Sequence, residues 1–170
     1  GGTPHAAWTT TSPAGKVIPG KPEWKKPIAR IMVEHNAPYV ATASPAHWRD
    51  LITKVEKGLA VNGPAFIHAI SPCPRGWRTP TETTIELARL AVETCFFPLW
   101  ECENGEYRVS SPSLPYVKSP EKKKPVTEYL RVQGRFRHLF NPEKTEIIES
   151  IQKNVDREWQ LILKRAGLSS

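Results

Sequence analysis

Apolar positions recur along this chain in two alternating rhythms, helical stripes and short continuous runs, and the alternation predicts an α/β layer architecture. Ile28, Ile31 and Met32 share one face of a short helix over Pro27 to Asn36, which Asn36-Ala37-Pro38 ends. Tyr39 to Ala43 reads as a brief strand. Ser44 then offers an N-cap with Pro45 in the first helical position, and Trp48, Leu51, Ile52, Val55 and Leu59 follow as an amphipathic stripe until Asn62-Gly63 closes the helix. Ala65 to Ile70 is nearly continuous apolar, the pattern of a parallel strand covered on both faces. Its one ionisable member, His68, has no acidic neighbour in sequence and reads as a hydrogen-bonded core histidine before it reads as a ligand or base.

Further along, Thr79-Pro80-Thr81-Glu82 is a capping box, and Ile85, Ala88, Val92 and Cys95 give the buried stripe of the helix it starts. Phe97 to Glu103, Asn104-Gly105 and Glu106 to Ser110 predict a hairpin with a tight turn. Ser111 to Pro125 is a Pro- and Lys-rich linker, and 125–140 is helical or turn-like, with Gly134 interrupting it. From Pro142 a final helix carries Ile147, Ile148, Ile151, Val155, Trp159, Ile162 and Leu163 on one side and ends at Gly167. That stripe could cover the sheet or dock on a neighbouring subunit. The division expected is 1–110 for the α/β part and 111–170 for a linker and C-terminal helical extension. Ahead of the first helix, Pro4, Pro13, Pro19, Pro22 and Pro27 exclude regular structure, while Trp8 and Trp24 favour an arm that wraps the protein over a disordered one. The chain opens on Gly1-Gly2-Thr3-Pro4 without an initiator Met or signal-peptide pattern and is expected to be a piece of something longer.

Composition narrows the classes. The 170 residues, 39% of them apolar, suit one domain with a buried core, and no apolar run reaches membrane-spanning length. A net charge of +7 raises the question of a nucleic-acid partner. Much of the excess sits in Lys118, Lys122, Lys123 and Lys124 and in Arg131, Arg135 and Arg137, and the aromatics fall mainly on core stripes. A solvated face, a docking surface or an anion site is the better reading, and a basic nucleic-acid module the weaker one. Three cysteines at irregular spacing make no disulfide framework and suggest a reducing, cytoplasmic setting.

Chemistry concentrates in Ser71-Pro72-Cys73-Pro74-Arg75-Gly76-Trp77-Arg78, directly after the apolar run. Two prolines restrict the backbone around Cys73 and Gly76 permits a tight turn, while Arg75, Arg78 and a helix start near Thr79 would favour a thiolate. Cys73 is then a metal ligand or a reactive sulfur. Without a CxxC it cannot hold zinc or an iron–sulfur cluster alone, so other ligands must come from elsewhere. An isolated Cys is also often a small buried hydrophobe, and the residues leave these readings open. Cys95 and Cys102 read as packing residues, with a paired metal-binding role not excluded. No Cys/His pair at a recognisable spacing supports a reactive-cysteine enzyme.

Three longer runs carry a resemblance. Ala7-Trp8-Thr9-Thr10-Thr11-Ser12-Pro13-Ala14-Gly15-Lys16, His35-Asn36-Ala37-Pro38-Tyr39-Val40-Ala41-Thr42-Ala43-Ser44 and Gly63-Pro64-Ala65-Phe66-Ile67-His68-Ala69-Ile70-Ser71-Pro72-Cys73-Pro74 are similar, in order, to the beta subunit of the pyruvate:ferredoxin oxidoreductase (pyruvate synthase) family. The similarity extends through Arg135-Phe136-Arg137. It implies the C-terminal half of a thiamine-diphosphate-binding domain, a parallel sheet flanked by helices, beginning just after the cofactor loop. It also implies a subunit of a hetero-oligomer that binds thiamine diphosphate, Mg2+ and a four-iron four-sulfur (4Fe-4S) cluster. With partner subunits such an enzyme turns pyruvate and coenzyme A into acetyl-CoA and CO2, passing electrons to ferredoxin.

The family's Gly-Asp-Gly to Asn metal-diphosphate motif and three of its cluster cysteines are absent from this chain, and the fourth cluster cysteine falls on Cys73. Cys73 is thus the one metal ligand the resemblance implies. No catalytic or thiamine contact is assigned, and the piece is expected to be inactive alone. A 2-oxoglutarate, branched-chain or oxalate enzyme of the same fold is the alternative, since substrate choice depends on residues mostly outside this piece. Half a sheet with an open edge and an uncovered apolar face is expected to be marginal or aggregation-prone by itself.

Overall fold

The computed structural model describes residues 2–14 and 18–168; Gly1 and the Gly15-Lys16 end of the first run above lie outside them. Eleven regular elements follow one another: α1 (Ile28–Glu34), β1 (Tyr39–Ala43), α2 (Trp48–Ala60), β2 (Ala65–Ala69), α3 (Pro74–Trp77), α4 (Thr84–Glu93), β3 (Trp100–Glu103), β4 (Glu106–Val109), α5 (Pro115–Lys118), α6 (Val126–Arg131) and α7 (Thr145–Arg165). The fold is α/β, with helices flanking a four-stranded mixed sheet in the order β2-β1-β3-β4. β1 runs parallel to β2 from Tyr39↔Ala65 to Ala43↔Ala69 and antiparallel to β3 from Tyr39↔Glu103 to Ala41↔Glu101. The expected β3–β4 hairpin forms, with Asn104 (φ 49°) and Gly105 (φ 89°) supplying the two positive dihedrals of its turn. Beyond Ala41 the ladder passes to a side chain: Thr42 Oγ1 accepts from Trp100 N (3.0 Å) and donates to Pro98 O (2.8 Å).

The sheet is covered unevenly. On the face of Tyr39, Ala65 and Ile67, α2 comes close at Gly58, where a Cβ would meet the Ala65 methyl at 3.3 Å and the Tyr39 ring at 3.5 Å. Leu51, Lys54 and Gly58 share that inward side of α2 by helical spacing. Lys54 is buried there, its ammonium donating to Asp50 (2.6 Å) and to the Thr42 carbonyl (2.8 Å). The apolar stripe therefore points outward: Trp48, Ile52, Val55 and Leu59 are all exposed, Leu59 by 82%. Apolarity alone could not anticipate this, because the paired charge and the small glycine pack on the sheet instead. β2 is likewise an edge strand with partly exposed residues, a correction to the doubly covered strand that its apolar run suggests.

Two further corrections concern α4 and the segment after β4. The capping box does not form: Thr79 N donates to Pro74 O (3.0 Å) to close the preceding turn, and a 3-10 turn at Thr81–Thr83 leads into α4. Leu87, Ala88, Ala91 and Val92 are its buried residues and Ile85 is exposed. The expected linker is anchored, with buried Ser113 accepting from Leu99 N (2.9 Å), Lys124 N donating to Glu93 O (3.1 Å), and α5 between them.

α7 covers the sheet, which answers the question its sequence left open. It buries Ile151, Val155, Trp159, Ile162 and Leu163 in the core shared with Val40, Leu99, Tyr129 and Phe136. Arg30 pairs with Glu158, and Arg165 binds Glu34 (2.9 Å) and the Tyr107 hydroxyl (2.6 Å), tying the helix to α1 and β4. The N-terminal arm wraps as expected. Ala6 and Ala7 are fully buried, Ala6 N donates to Lys21 O (2.7 Å), and Gly20 (φ 108°) admits no Cβ because the Ala6 carbonyl oxygen lies 2.5 Å from its position. His5 stacks on Trp24 (4.2 Å).

Candidate functional site

Ile70 N, one residue past β2, still bonds Ala43 O (3.0 Å), and the chain leaves the sheet edge at Ser71. Cys73 is extended (φ −102°, ψ 106°) and exposed, and it caps α3, whose first residue is Pro74. Its carbonyl accepts from Trp77 N (2.8 Å), and its Sγ accepts from Gly76 N at 3.4 Å. A Cβ on Gly76 would come 3.4 Å from the sulfur, at the edge of ordinary contact. The turn thus presents one sulfur outward with a backbone donor fixed to it, a geometry suited to a thiolate ligand.

Arg78 closes the turn in the left-handed region (φ 58°), which an arginine adopts only when held. Two contacts hold it: Gly134 N donates to Arg78 O (3.2 Å), and the Arg78 guanidinium lies 3.7 Å from the Trp8 ring centroid. Trp8 N in turn donates to Arg135 O (2.8 Å), so the wrapped arm, the Cys73 turn and the segment after α6 form one clamp. Inside it, Arg135 is only 4% exposed. Its guanidinium lies 3.9 Å from the Trp77 ring centroid, its Nε donates to Gln133 Oε1 (2.8 Å), and its Nη2 has no hydrogen-bond partner among the described residues. Burial pulls Arg135 down to about 10, against the opposing charge and hydrogen bond of Tyr129. Tyr129 is itself pushed up to about 12 by burial.

Sequence groups Arg135 with basic residues read as a solvated face, a docking surface or an anion site, and its burial removes it from any solvated face; its neighbours Gln133 and Phe136 in a non-amphipathic stretch give no signal of this. Of the others in that group, Lys123 pairs with Asp156 and Lys124 bridges Glu93 (2.9 Å) and Glu128 (3.6 Å). Cys95 and Cys102 are buried packing residues as expected, with burial pushing the Cys95 thiol up to about 12 and the Cys102 thiol upward too. Among the described residues no group of three or more His, Cys, Asp or Glu could hold a metal ion, so any metal at Cys73 takes its remaining ligands from outside them.

His68 departs from its expected hydrogen-bonded core role. It is half-buried, its ring meeting Phe97 edge-on at 5.1 Å, and burial, with Lys25 nearby, holds it down at about 4. It lines a cavity of about 410 Å3 between the sheet, α1, α7 and the arm, together with Thr42, Lys25, Trp24 and Phe97. Lys25 lies 5.1 Å from the Phe97 centroid and burial lowers its pKa, with Arg135 adding to the shift. No helix among the described residues is long and apolar enough to cross a membrane.

No protein-family model matches the chain. Its similarity to individual proteins is extensive. It is 48% identical over 160 residues to the pyruvate synthase subunit PorB of Methanocaldococcus jannaschii, covering 94% of this chain and 50% of that protein. It is 49% identical over 152 residues to PorB of Methanosarcina barkeri, covering 89% and 48%. Against the ketoisovalerate oxidoreductase subunit VorB of Pyrococcus horikoshii the identity is 44% over 165 residues, covering 96% and 50%. The chain spans about half the length of these relatives. With identities of this size along nearly its whole length, the chain is homologous to about half of the PorB and VorB subunits.

Proposed function

We propose that this chain is the C-terminal half of the beta subunit of a pyruvate:ferredoxin oxidoreductase, and that Cys73 is one thiolate ligand of its 4Fe-4S cluster. The observation that carries the reading is the 48–49% identity to PorB subunits over most of the chain. In this reading residues 1–110 are the C-terminal part of the thiamine-diphosphate-binding domain, 111–170 are its extension, and the enzyme is cytoplasmic.

The residues present fit the cluster. Cys73 offers an exposed sulfur that receives the Gly76 N–H, and a buried guanidinium with an unused donor lies in the same clamp. When bound, thiamine diphosphate with Mg2+ supplies the carbon nucleophile that releases CO2 from a 2-oxo acid, and the cluster takes the electrons singly toward ferredoxin. This chain's share is narrower. Pro72 and Pro74 restrict the backbone on either side of the sulfur, Cys73 caps α3, and Trp77, bonded to the Cys73 carbonyl, stacks on Arg135. No described residue is assigned to thiamine, Mg2+, coenzyme A or substrate.

A second reading follows from the VorB relatives: the same machinery acting on a branched-chain 2-oxo acid. The test uses the complete subunit assembled with its partner subunits under anaerobic conditions. Coenzyme A-dependent reduction of a viologen dye is followed with pyruvate, 2-oxoglutarate and 3-methyl-2-oxobutanoate. The largest kcat/KM on pyruvate supports the first reading and on 3-methyl-2-oxobutanoate the second, whereas no reduction with any 2-oxo acid overturns both.

A further inference from the structure

Arg135 is a buried cation with no carboxylate paired to it among the described residues. Burying a guanidinium is costly unless something negative or hydrogen-bonding compensates it. Around Arg135 the compensation is partial: Gln133 takes Nε, the Tyr129 hydroxyl contributes a side-chain hydrogen bond, the Trp77 and Phe136 rings lie 3.9 and 5.1 Å from the guanidinium carbon, and Nη2 has no partner among the described residues. A feature beside it that would gain from a fixed positive charge is the turn of Cys73, which ends in Trp77, whose N–H bonds the Cys73 carbonyl (2.8 Å) and whose ring lies 3.9 Å from the guanidinium.

We propose that Arg135 is a positioning residue whose buried charge sets the reduction potential of the iron–sulfur group held at Cys73. The proposal rests on the reading of Cys73 as a cluster ligand. A 4Fe-4S core with thiolate ligands is anionic, and it gains one further negative charge on taking up an electron. A fixed cation in a low-dielectric surround therefore stabilises the reduced form more than the oxidised form and raises the potential. Gln133 holds the guanidinium through its Nε, and the Trp77 ring lies against it at 3.9 Å.

The test compares midpoint potentials, read from the EPR signal of the reduced cluster during anaerobic redox titration of the assembled enzyme. Arg135→Gln removes the charge; Arg135→Lys keeps it; Gln133→Glu leaves Arg135 in place but sets an anion against it at nearly unchanged volume. The expected result is a more negative midpoint in Arg135→Gln and Gln133→Glu and a value closer to wild type in Arg135→Lys, all at wild-type iron content. A wild-type midpoint in both Arg135→Gln and Gln133→Glu overturns the proposal. So does loss of the cluster in Arg135→Gln with an unmoved midpoint in Gln133→Glu, which would make Arg135 structural only. Cys73→Ala separates the underlying reading: if its cluster is intact, the ligand assignment fails and the proposal falls with it, whatever the arginine variants show.

Discussion

Replacing Gly134 with alanine probes the clamp that holds the Cys73 turn. The new methyl would sit 2.6 Å from Arg78 Cβ, 2.9 Å from Arg78 O and 3.5 Å from Arg78 Cδ. Carbon atoms rest about 3.5–4.0 Å apart, so Arg78 and residue 134 must separate by about 1 Å. That movement also strains the Gly134 N–H···O=C Arg78 bond (3.2 Å), and Arg78 is already left-handed. Overpacking of this kind costs about 1–3 kcal/mol, while loss of chain entropy in the unfolded state returns about 0.4–1 kcal/mol. The net expectation is a destabilisation of about 1–2 kcal/mol, concentrated at the turn bearing Cys73. Differential scanning fluorimetry of the complete subunit should show a melting temperature lowered by a few degrees, and iron analysis of the same sample should show reduced iron. Gly2→Ala is the control, since nothing lies within 4 Å of where its Cβ would sit. An unchanged melting temperature and full iron content in Gly134→Ala would refute the clamp.

Two other expectations concern the rest of the fold. Burial pushes Glu101 up, but the Lys57 and Tyr39 hydrogen bonds (2.6 and 2.7 Å) outweigh it and hold the carboxylate below its usual range. With the folded value depressed, its stabilisation is fully present above the unfolded carboxylate pKa and is lost as pH falls through the folded one. Melting curves of the wild type and Glu101→Gln between pH 7 and pH 3 should show a shallower acid limb in the variant, and identical limbs would count against the network. The outward stripe of α2 predicts that the 170-residue chain self-associates when isolated. Light scattering should show larger species that Trp48→Gln, Ile52→Lys and Leu59→Lys together convert to monomer, and a monomeric wild-type chain with a sharp, reversible two-state melt would show that the face needs no cover.

β1, the hairpin and α7 were legible because their residues meet only one demand, whereas the burial of β2 was not. Tyr39 to Ala43 is buried throughout, Asn104-Gly105 has positive dihedrals, and Ile151, Val155 and Trp159 must be inside. Where two demands competed, the pattern misled. α2 carries an apolar side and a side bearing Lys54 and Gly58, and the sheet takes the latter because the ammonium finds Asp50 and Thr42 there. Thr79 serves the Cys73 turn before it can cap α4. At the candidate site, Cys73 was visible from its prolines and its glycine. Arg135 was not, since its burial depends on a stack with Trp77 and a hydrogen bond across the arm from Trp8, neither of which leaves a periodic trace in the sequence.

The central claim is that Cys73 ligates a 4Fe-4S cluster, and the most direct measurement is iron content with the reduced-state EPR spectrum of the complete subunit, wild type against Cys73→Ala, prepared anaerobically. The account predicts that the four-iron signal is lost or converted in the variant while the protein remains folded by circular dichroism. A folded variant with wild-type iron and an unchanged spectrum would contradict it and return Cys73 to the status of an exposed structural cysteine.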